Sequence, residues 1–311
     1  MSWVFLTDRY AYKLKKPVRY PFLDFATPEA RARNCNEELR LNRRLAPTVY
    51  LSVVPMVLRK EGDLSLGDDG TPVDWLVKMR RLPDDRRLDI AIMNQTLVES
   101  DVRRLAERLA AFYGGLSPIS IHTDAYRHRF IDEIDVVRKV LIRPSYRQDR
   151  HAIGRLSKAL HGYLRRHADF LDRRVLDNRI VEGHGDLRPE HIYLGNEILV
   201  TDCLEFNRDL RIVDPVDELA YLAMECERLG APLVRTWLFE TYSARAGDSA
   251  PRNLIYFYAC FRACLRARIA LAHLDEPSVA EPARWVERGR RYLEVGLHHA
   301  DGLGRTPCKP P

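Results

Sequence analysis

The apolar pattern of this chain changes near residue 82, and that change limits the folds open to it. Upstream, apolar and polar residues alternate as in strands, whereas downstream the apolar residues recur with the period of a helix. One helix is predicted upstream, with Thr27 as its N-cap, Pro28 in its first turn and Pro47 as its limit. The upstream strands are predicted at residues 3–6, 11–15, 52–59 and 73–82, with a turn-rich stretch at 61–72. Residues 1–82 therefore predict a small, sheet-rich N-terminal domain.

The rest of the chain is mainly helical in pattern. One β-type stretch interrupts it, with a strand at 179–181 and a hairpin of 191–194 and 197–201 around Gly195-Asn196. The helices are predicted at 100–113, 131–141, 152–171, 217–229, 233–244, 253–274 and 283–300. The sequence thus predicts an α+β fold, with a large helical domain at 83–301 and a tail at 302–311.

Composition excludes several classes of protein. The 50 basic and 44 acidic side chains leave a net charge of +6, and both signs are interspersed, which does not favour a nucleic-acid partner. No apolar run approaches the roughly 18 residues that cross a bilayer, and the six cysteines include no CxxC pair that would indicate a zinc site. A protein acting in the cytoplasm, with reduced thiols and no membrane segment, is expected.

Two aspartates flank the predicted hairpin. Asp186 precedes it and Asp202 follows it, and because a hairpin returns the chain to its starting point, the two carboxylates are expected to be neighbours. Two carboxylates in one cleft repel each other unless a cation lies between them, and oxygen ligands of this kind suit Mg²⁺. The alternative is that both are capping or turn residues, which is a common role for aspartate.

The segment around these aspartates resembles a known family. The run from His184-Gly-Asp186 to His191, the hairpin and Asp202 are similar to the catalytic and metal-binding segments of the aminoglycoside phosphotransferase family, which has a protein-kinase-like fold. Asp202-Cys-Leu-Glu-Phe-Asn207 resembles a bacterial subgroup of that family with poorly defined substrates. The P-loop signature of other nucleotide-binding proteins does not occur in the sequence.

The resemblance extends into the N-terminal domain. Ala11-Tyr12-Lys13 resembles the family's phosphate-anchoring strand, and Glu38 falls where a helix supplies the partner of that lysine. Lys15 shares a strand face with Lys13, and Glu37 is adjacent to Glu38, so each assignment has a neighbouring alternative. The Ala-x-Lys spacing favours Lys13, and the seven-residue spacing to Leu45 places Glu38 on the apolar face of its helix.

The family's chemistry implies a role for each of these residues. It implies a bilobal fold with a small antiparallel-sheet lobe, and transfer of the γ-phosphate of ATP to a hydroxyl of a small molecule with the help of Mg²⁺. Asp186 would accept or orient the proton of the attacking hydroxyl, and Asp202 would hold the Mg²⁺ that bridges the nucleotide phosphates. Lys13, held by Glu38, would contact phosphate oxygens.

The resemblance also implies where the base would bind. In kinase-like folds the strand that ends the small lobe holds the adenine edge with backbone N–H and C=O groups. In this sequence that strand end is Met79, Arg80 and Arg81. The identities of these side chains therefore matter little to the expected interaction.

One position departs from the family pattern. The residue five after Asp186 is normally an asparagine that binds a second metal ion, and here it is His191. Imidazole is a poorer ligand for Mg²⁺ than an amide oxygen. His191 is therefore expected to bind Mn²⁺ or Zn²⁺, to hydrogen-bond a phosphate, or simply to pack. Glu205, three residues after Asp202, is the alternative oxygen ligand.

A second departure concerns the start of the sheet. The family's first strand and its nucleotide-covering turn would precede Trp3, so the small lobe is expected to lack its first strand. Without that cover, water is less well excluded from the triphosphate. The alternative function is therefore a kinase-like binding module, or a pseudoenzyme with impaired nucleotide handling.

Overall fold

The computed structural model describes residues 2–20, 23–60, 62–67, 69–276 and 279–303. These residues form two compact units. The first contains the chain up to Leu97 together with His184–Ile212, and the second contains Val98–Gly183 together with the chain from Val213 onward. The segment with both aspartates therefore groups with the N-terminal strands. The functional division at residue 82 stays a prediction. Residues 304–311 of the predicted tail lie outside the described residues.

The first unit is built on one antiparallel sheet. The strands of the chain are β1 (Ser2–Leu6), β2 (Tyr10–Lys15), β3 (Arg19–Tyr20), β4 (Leu23–Asp24), β5 (Tyr50–Leu58), β6 (Leu64–Leu66), β7 (Thr71–Arg80), β8 (Val181–Glu182), β9 (Ile192–Tyr193), β10 (Leu199–Val200) and β11 (Ile212–Val213). The sheet has the order β1-β2-β7-β5-β6, with every neighbouring pair antiparallel. The predicted strands of the N-terminal part and the hairpin of β9 and β10 are confirmed, the hairpin strands being shorter than expected. The strand predicted at 179–181 is observed at Val181–Glu182.

The helices agree with the pattern in most places. They are α1 (Pro28–Asn42), α2 (Leu88–Met93), α3 (Glu99–Gly114), α4 (Thr123–Leu141), α5 (Arg150–Arg166), α6 (Ala168–Leu176), α7 (Pro215–Arg228), α8 (Leu233–Ala246), α9 (Arg252–Ala272) and α10 (Pro282–Gly302). None of the helices within the described ranges is long and apolar enough to span a membrane. The predicted α+β fold class, with a sheet-containing part and a helical part, is confirmed.

Strands β3, β4 and β11 were not predicted, and four further elements differ from the prediction. The stretch 61–72 contains β6, which pairs with β5. The helix predicted at 152–171 is two helices, because the backbone of His167 leaves the helical region at φ −131° and ψ 31°. Helix α4 begins earlier than predicted, at Thr123. The six-residue helix α2 was not predicted, because so short a segment shows little periodicity.

Helix α1 covers the face of the sheet that carries the predicted site. Thr27 caps it, its hydroxyl oxygen accepting a hydrogen bond from the N–H of Ala30 at 3.2 Å, as expected. Cys35 of α1 packs in a buried cluster with Val77 of β7 and Tyr50 of β5. Lys13 pairs with Val77 across β2 and β7, and residues opposite each other share a face. The side chain of Lys13 is therefore directed to the side of the sheet where α1 lies.

In the helical unit, α10 approaches α9 closely at Gly289. A β-carbon at this position would lie 2.6 Å from Cγ of Leu271, which is closer than packed atoms come. Leu271 itself is fully buried and has no room to move aside. The absence of a side chain at Gly289 therefore lets the two helices pack at this distance.

Two glycine substitutions test this packing. We expect Gly289→Ala to destabilise the protein by about 1–3 kcal/mol through overpacking, although alanine favours helices. A β-carbon at Gly154 of α5 would meet no atom within 4 Å, so Gly154→Ala is expected to stabilise by roughly 0.5–1 kcal/mol. Urea unfolding of both variants measures the difference. A Gly289→Ala protein as stable as Gly154→Ala would contradict this account.

Candidate active site

Two lysines of β2 converge on one buried glutamate. Nζ of Lys13 lies 2.8 Å from Oε1 of Glu38, and Nζ of Lys15 donates to Oε2 of the same carboxylate at 2.7 Å. Lys15 and Glu38 are fully buried, whereas 16% of the Lys13 side chain is exposed. Of the two lysines, Lys13 is the one with access to solvent, and both contact Glu38.

Glu37 faces away from this cluster. Its carboxylate accepts hydrogen bonds from Arg40 at 2.7 Å and from Arg211 at 3.2 Å. Adjacent residues of a helix point about 100° apart, so the burial of Glu38 leaves Glu37 at the edge of α1. The inward position of Glu38 agrees with the apolar spacing that favoured it.

Asp202 lies next to Lys13, at the end of the hairpin. Lys13 Nζ donates to Asp202 Oδ1 at 2.6 Å, and 46% of the Asp202 side chain is exposed. The backbone of Asp202 has φ +60°, a left-handed conformation that costs a non-glycine residue roughly 1–3 kcal/mol. Its N–H donates to the hydroxyl of Tyr50 at 3.0 Å, and the next N–H, of Cys203, donates to Oδ1 of Asn42 at 2.8 Å. These bonds hold the strained turn that presents the carboxylate.

His184 supports the loop that carries Asp186. Its ring Nε2 lies 3.0 Å from the carbonyl of Thr201, which can only accept, so Nε2 carries the proton. The other ring nitrogen accepts from the N–H of Asp186 at 3.3 Å. Gly185 between them has φ +87°, and a side chain there would come within 3.1 Å of Leu204 Cβ. The glycine of the motif is therefore required by both its backbone and its neighbours.

An arginine that the motifs did not single out organises the predicted catalytic loop. Arg188 Nε lies 3.0 Å from the carboxylate of Asp186, and Nη1 donates to Glu190 at 2.6 Å. Its Nη2 lies 3.1 Å from Nε2 of His191. The signal was present, because Arg188 stands two residues after Asp186 in the most polar run of the C-terminal part.

His191 connects the two aspartates. Its Nδ1 lies 2.9 Å from the carbonyl of Asp186, so it donates there, and its Nε2 lies 3.5 Å from Oδ2 of Asp202. With Nδ1 donating to that carbonyl, Nε2 is placed to accept from Arg188. The imidazole of His191 therefore lies between the backbone of Asp186 and the carboxylate of Asp202.

The charges of the cluster reinforce one another. Desolvation lowers the pKa of Lys13, but Asp202 and Glu38 together raise it by more, so the ammonium is retained. Desolvation raises the pKa of Glu38 and of Asp202, and the cations around each, Lys13 foremost, together lower it by more, so the pKa of each carboxyl lies below its usual value. For Glu205, desolvation and the nearby Glu38 outweigh Lys15, and its pKa is raised. The Lys13, Glu38 and Asp202 side chains are therefore charged at neutral pH.

Lys13, His191 and Asp202 border an open cavity of about 280 Å³. It is lined by Val4, Leu6, Ala11, Lys13, Val49, Tyr50, Met79, Arg80, Arg81, Leu82, Asp84, Glu190, His191, Tyr193, Thr201 and Asp202. Leu6, Ala11 and Met79 form one cross-strand row, and Lys13 lies two residues along β2 from Ala11, or roughly 7 Å. The cavity thus joins an apolar wall to a charged one, as in sites for small ligands with both kinds of group.

The strand end that was expected to hold a base is only partly available. Met79, Arg80 and Arg81 line the cavity, as the resemblance implies. However, the N–H of Arg80 donates to the carbonyl of Val49 at 2.8 Å, and the N–H of Arg81 donates to that of Arg9 at 3.0 Å. Both N–H groups are used within the protein, so the expectation that they face a base is corrected.

The donors present fit a metal ion that arrives with a ligand. Asp202 and His191 face the cavity, whereas Glu205 is not among its lining residues and contacts Lys15 instead. In the described part of the chain, no group of three or more His, Cys, Asp or Glu side chains is arranged to hold a metal ion. Mg²⁺ is commonly bound by one or two carboxylates together with substrate phosphates. Asp202 meets that requirement without a complete protein cage.

Comparison with solved structures shows the fold. The chain aligns with an ethanolamine kinase of Plasmodium vivax at a TM-score of 0.52 and 10% identity, covering 96% of this chain and 82% of that one. It aligns with a choline kinase of Cryptosporidium parvum at 0.51 and 9% identity, covering 95% and 84%. The chain has a protein-kinase-like fold. The predicted architecture is thereby confirmed.

Comparison at the sequence level shows relatives of greater length. An uncharacterised protein of Mycobacterium tuberculosis (strain H37Rv) is 34% identical over 308 residues, which is 95% of this chain and 57% of the relative. A Mycobacterium bovis protein matches with the same values. The chain thus spans little more than half the length of these relatives. No family model matches it, so membership of the aminoglycoside phosphotransferase family stays a prediction.

The buried ion pairs of Glu38 predict a pH-dependent stability. The pKa of Glu38 is lowered on folding, so its ionised carboxylate stabilises the folded protein. This stabilisation is fully present above about pH 4.5 and is lost as pH falls through the folded pKa. We expect Glu38→Gln to destabilise the protein by about 3–5 kcal/mol near neutral pH. The difference in free energy of unfolding between Glu38→Gln and the wild type should become smaller below about pH 4.5.

Urea unfolding of both proteins across this pH range measures this difference. Glu29→Gln, which changes an exposed glutamate of the same helix, is the control and is expected to have a much smaller effect. A difference that stays constant down to about pH 3 would mean that Glu38 is not ionised in the folded protein.

Proposed function

We propose that this chain is a metal-dependent phosphotransferase that moves the γ-phosphate of ATP to a hydroxyl of a small molecule. The observation that carries the proposal is the position of Lys13, in contact with both Glu38 and Asp202 beside an open cavity. Phosphoryl transfer depends on positioning and charge neutralisation more than on covalent chemistry. A fixed ammonium next to a half-exposed carboxylate supplies both needs. The kinase-like fold supports the same activity.

The charged wall of the cavity would hold the triphosphate. Lys13 would exchange its contact with Asp202 for phosphate oxygens while Glu38 keeps the ammonium in place. Asp202 would then bind the divalent cation, with His191 as a nitrogen donor that suits Mn²⁺ better than Mg²⁺. When bound, the metal ion neutralises charge on the phosphates. The order Lys13, Glu38, Asp186, Asp202 matches that of the aminoglycoside phosphotransferase family, to which we assign the chain on this basis.

Asp186 would orient the acceptor hydroxyl. Arg188 Nε lies 3.0 Å from both of its carboxylate oxygens, which keeps the group an acceptor of hydrogen bonds. A carboxylate held in this way would align the attacking oxygen and take up its proton as the new O–P bond forms. The bond from the γ-phosphorus to the β–γ bridging oxygen would break in the same step and release ADP. Removing Asp186 is therefore expected to affect the chemical step more than nucleotide binding.

The apolar wall would hold the base. Leu6, Ala11 and Met79 lie in one row and offer a flat surface for a purine ring. Because the N–H groups of Arg80 and Arg81 are already used, we assign recognition of the base edge to backbone carbonyls of this segment and the N–H of Leu82. This makes the shape of the wall, more than its side-chain polarity, the feature that selects the base.

One observation favours the alternative of a binding module with impaired turnover. His191 stands where an amide ligand is expected, and its Nε2 is shared between Arg188 and Asp202. Such a site would bind a nucleotide and fail to transfer its phosphate. Both functions therefore predict nucleotide binding, and only the phosphotransferase predicts transfer of the phosphate.

Nucleotide binding should raise the thermal stability of the protein in a metal-dependent way. A ligand at about 100 times its dissociation constant stabilises the folded state by roughly 2.7 kcal/mol, which raises the midpoint by about 2–4 °C per kcal/mol. We expect this shift with ATP plus Mg²⁺ or Mn²⁺, and little of it with ATP plus a chelator. The absence of a shift with either metal would contradict both functions.

Two aspartate substitutions should separate binding from chemistry. Asp186→Ala is expected to lower the rate of phosphate transfer by at least about 10²-fold while leaving the ATP-induced thermal shift intact. Asp202→Ala is expected to weaken the metal-dependent shift itself. Asp63→Ala, on an exposed turn, is the control. Phosphate transfer by Asp186→Ala at the wild-type rate would refute the role assigned to Asp186. A wild-type protein that binds ATP but consumes none with any of a panel of hydroxyl acceptors would favour the binding module.

A further inference from the structure

Lys15 is a buried lysine that the proposed mechanism does not use. Its side chain is fully buried, and its ammonium contacts the carboxylates of Glu38 and Glu205. A buried ammonium is retained only where opposite charges compensate for its lost hydration. Desolvation lowers the pKa of Lys15, but Glu38 and Glu205 together raise it by more. Lys15 is therefore a permanent positive charge between a helix and a loop.

Glu205 balances the charge of this buried group. Lys13 and Lys15 both contact Glu38, so one carboxylate alone would face two ammonium groups. Glu205 supplies a second carboxylate to Lys15, with 9% of its side chain exposed. Because Lys15 occupies Oε2 of Glu38, Oε1 is the oxygen left for Lys13. The position of the Lys13 ammonium therefore depends on the contact between Lys15 and Glu205.

Glu205 lies in the loop that begins with Asp202. This loop, residues 202–205, is also fastened through its backbone: the N–H of Cys203 donates to Asn42, and Arg211 donates to the carbonyls of Leu204 at 2.9 Å and Glu205 at 3.2 Å. Asn42 also donates to the carbonyl of Glu38 at 2.8 Å, within the same helix α1. Contacts to α1 and β2 therefore fix the loop at both of its ends.

We propose that Lys15 and Glu205 form a buried clamp that holds the 202–205 loop against α1, and that Glu205 is a positioning residue and not a metal ligand. The effect of the clamp on catalysis rests on the proposed function, whereas its effect on the loop does not. The side chain of Asp202 is 46% exposed and borders the cavity, whereas that of Glu205 is turned to Lys15.

The first arm of the test needs no nucleotide. Amide hydrogen exchange of the segment 200–211 is measured by mass spectrometry in the wild type, Lys15→Met, Glu205→Gln and the double variant. We expect each single variant to exchange about tenfold faster in this segment, since its local opening becomes easier. Lys16→Met, at the residue next to Lys15, and Glu197→Gln, on the exposed hairpin turn, are the matched controls and should leave it unchanged.

The second arm measures phosphate transfer at varied ATP and metal concentrations. Each single variant should lose about 10- to 100-fold in kcat/KM for ATP, because a small displacement of Lys13 and Asp202 is costly. The double variant removes one positive and one negative charge together, so it should be more active than the product of the single effects predicts. Because Asp202 is the proposed metal ligand, the metal concentration for half-maximal activity should change to the same extent in both single variants. Circular dichroism and thermal unfolding establish that each variant is folded.

Each possible outcome decides the inference. Loss of metal affinity in Glu205→Gln with none in Lys15→Met would identify Glu205 as a metal ligand and overturn the clamp. Amide hydrogen exchange of segment 200–211 at the wild-type rate in both single variants would overturn the clamp as well. A wild type that neither binds nor consumes ATP would refute the proposed function alone, because the exchange arm would still decide whether the clamp holds the loop. If either single variant fails to fold, the double variant, which keeps the charge balance, provides the exchange comparison.

Discussion

The carboxylate of Glu38 is the contact on which the candidate site depends. One buried carboxylate forms an ion pair with Lys13 at one oxygen and accepts a hydrogen bond from Lys15 at the other, and these lysines in turn reach Asp202 and Glu205. Buried charges are stable only in such reciprocal arrangements, since each would otherwise lose its hydration without compensation. The sheet, the helix α1 and the loop after the hairpin are thereby joined through a single side chain.

This arrangement explains why strain is tolerated at Asp202. Its left-handed backbone is unfavourable for a residue with a β-carbon, and the surrounding hydrogen bonds to Tyr50 and Asn42 fix it in place. The result is a carboxylate presented to the cavity with a defined direction. Gly185 meets a comparable demand in the loop of Asp186, because its φ of +87° disfavours a residue with a β-carbon.

Several parts of the fold and site followed from local sequence. The strands around the Lys13 pattern and the cap at Thr27 depend on neighbouring residues, and they were predicted close to their observed bounds. The break at His167 was not, because the apolar period continues through it. Lys15 and Arg188 were not given roles, because their partners Glu205, Glu190 and Asp186 become evident only when side-chain directions are known.

The sequence alone determined the class of fold, the strand that carries Lys13 and the order of the charged residues along the chain. It could do so because periodicity, capping and turn residues act over a few positions. Tertiary structure decided which oxygen each lysine contacts, that Glu205 is turned to Lys15, and that the N–H groups of Arg80 and Arg81 are used within the protein. Those outcomes depend on burial and on contacts between residues far apart in sequence, for which a local pattern carries no information.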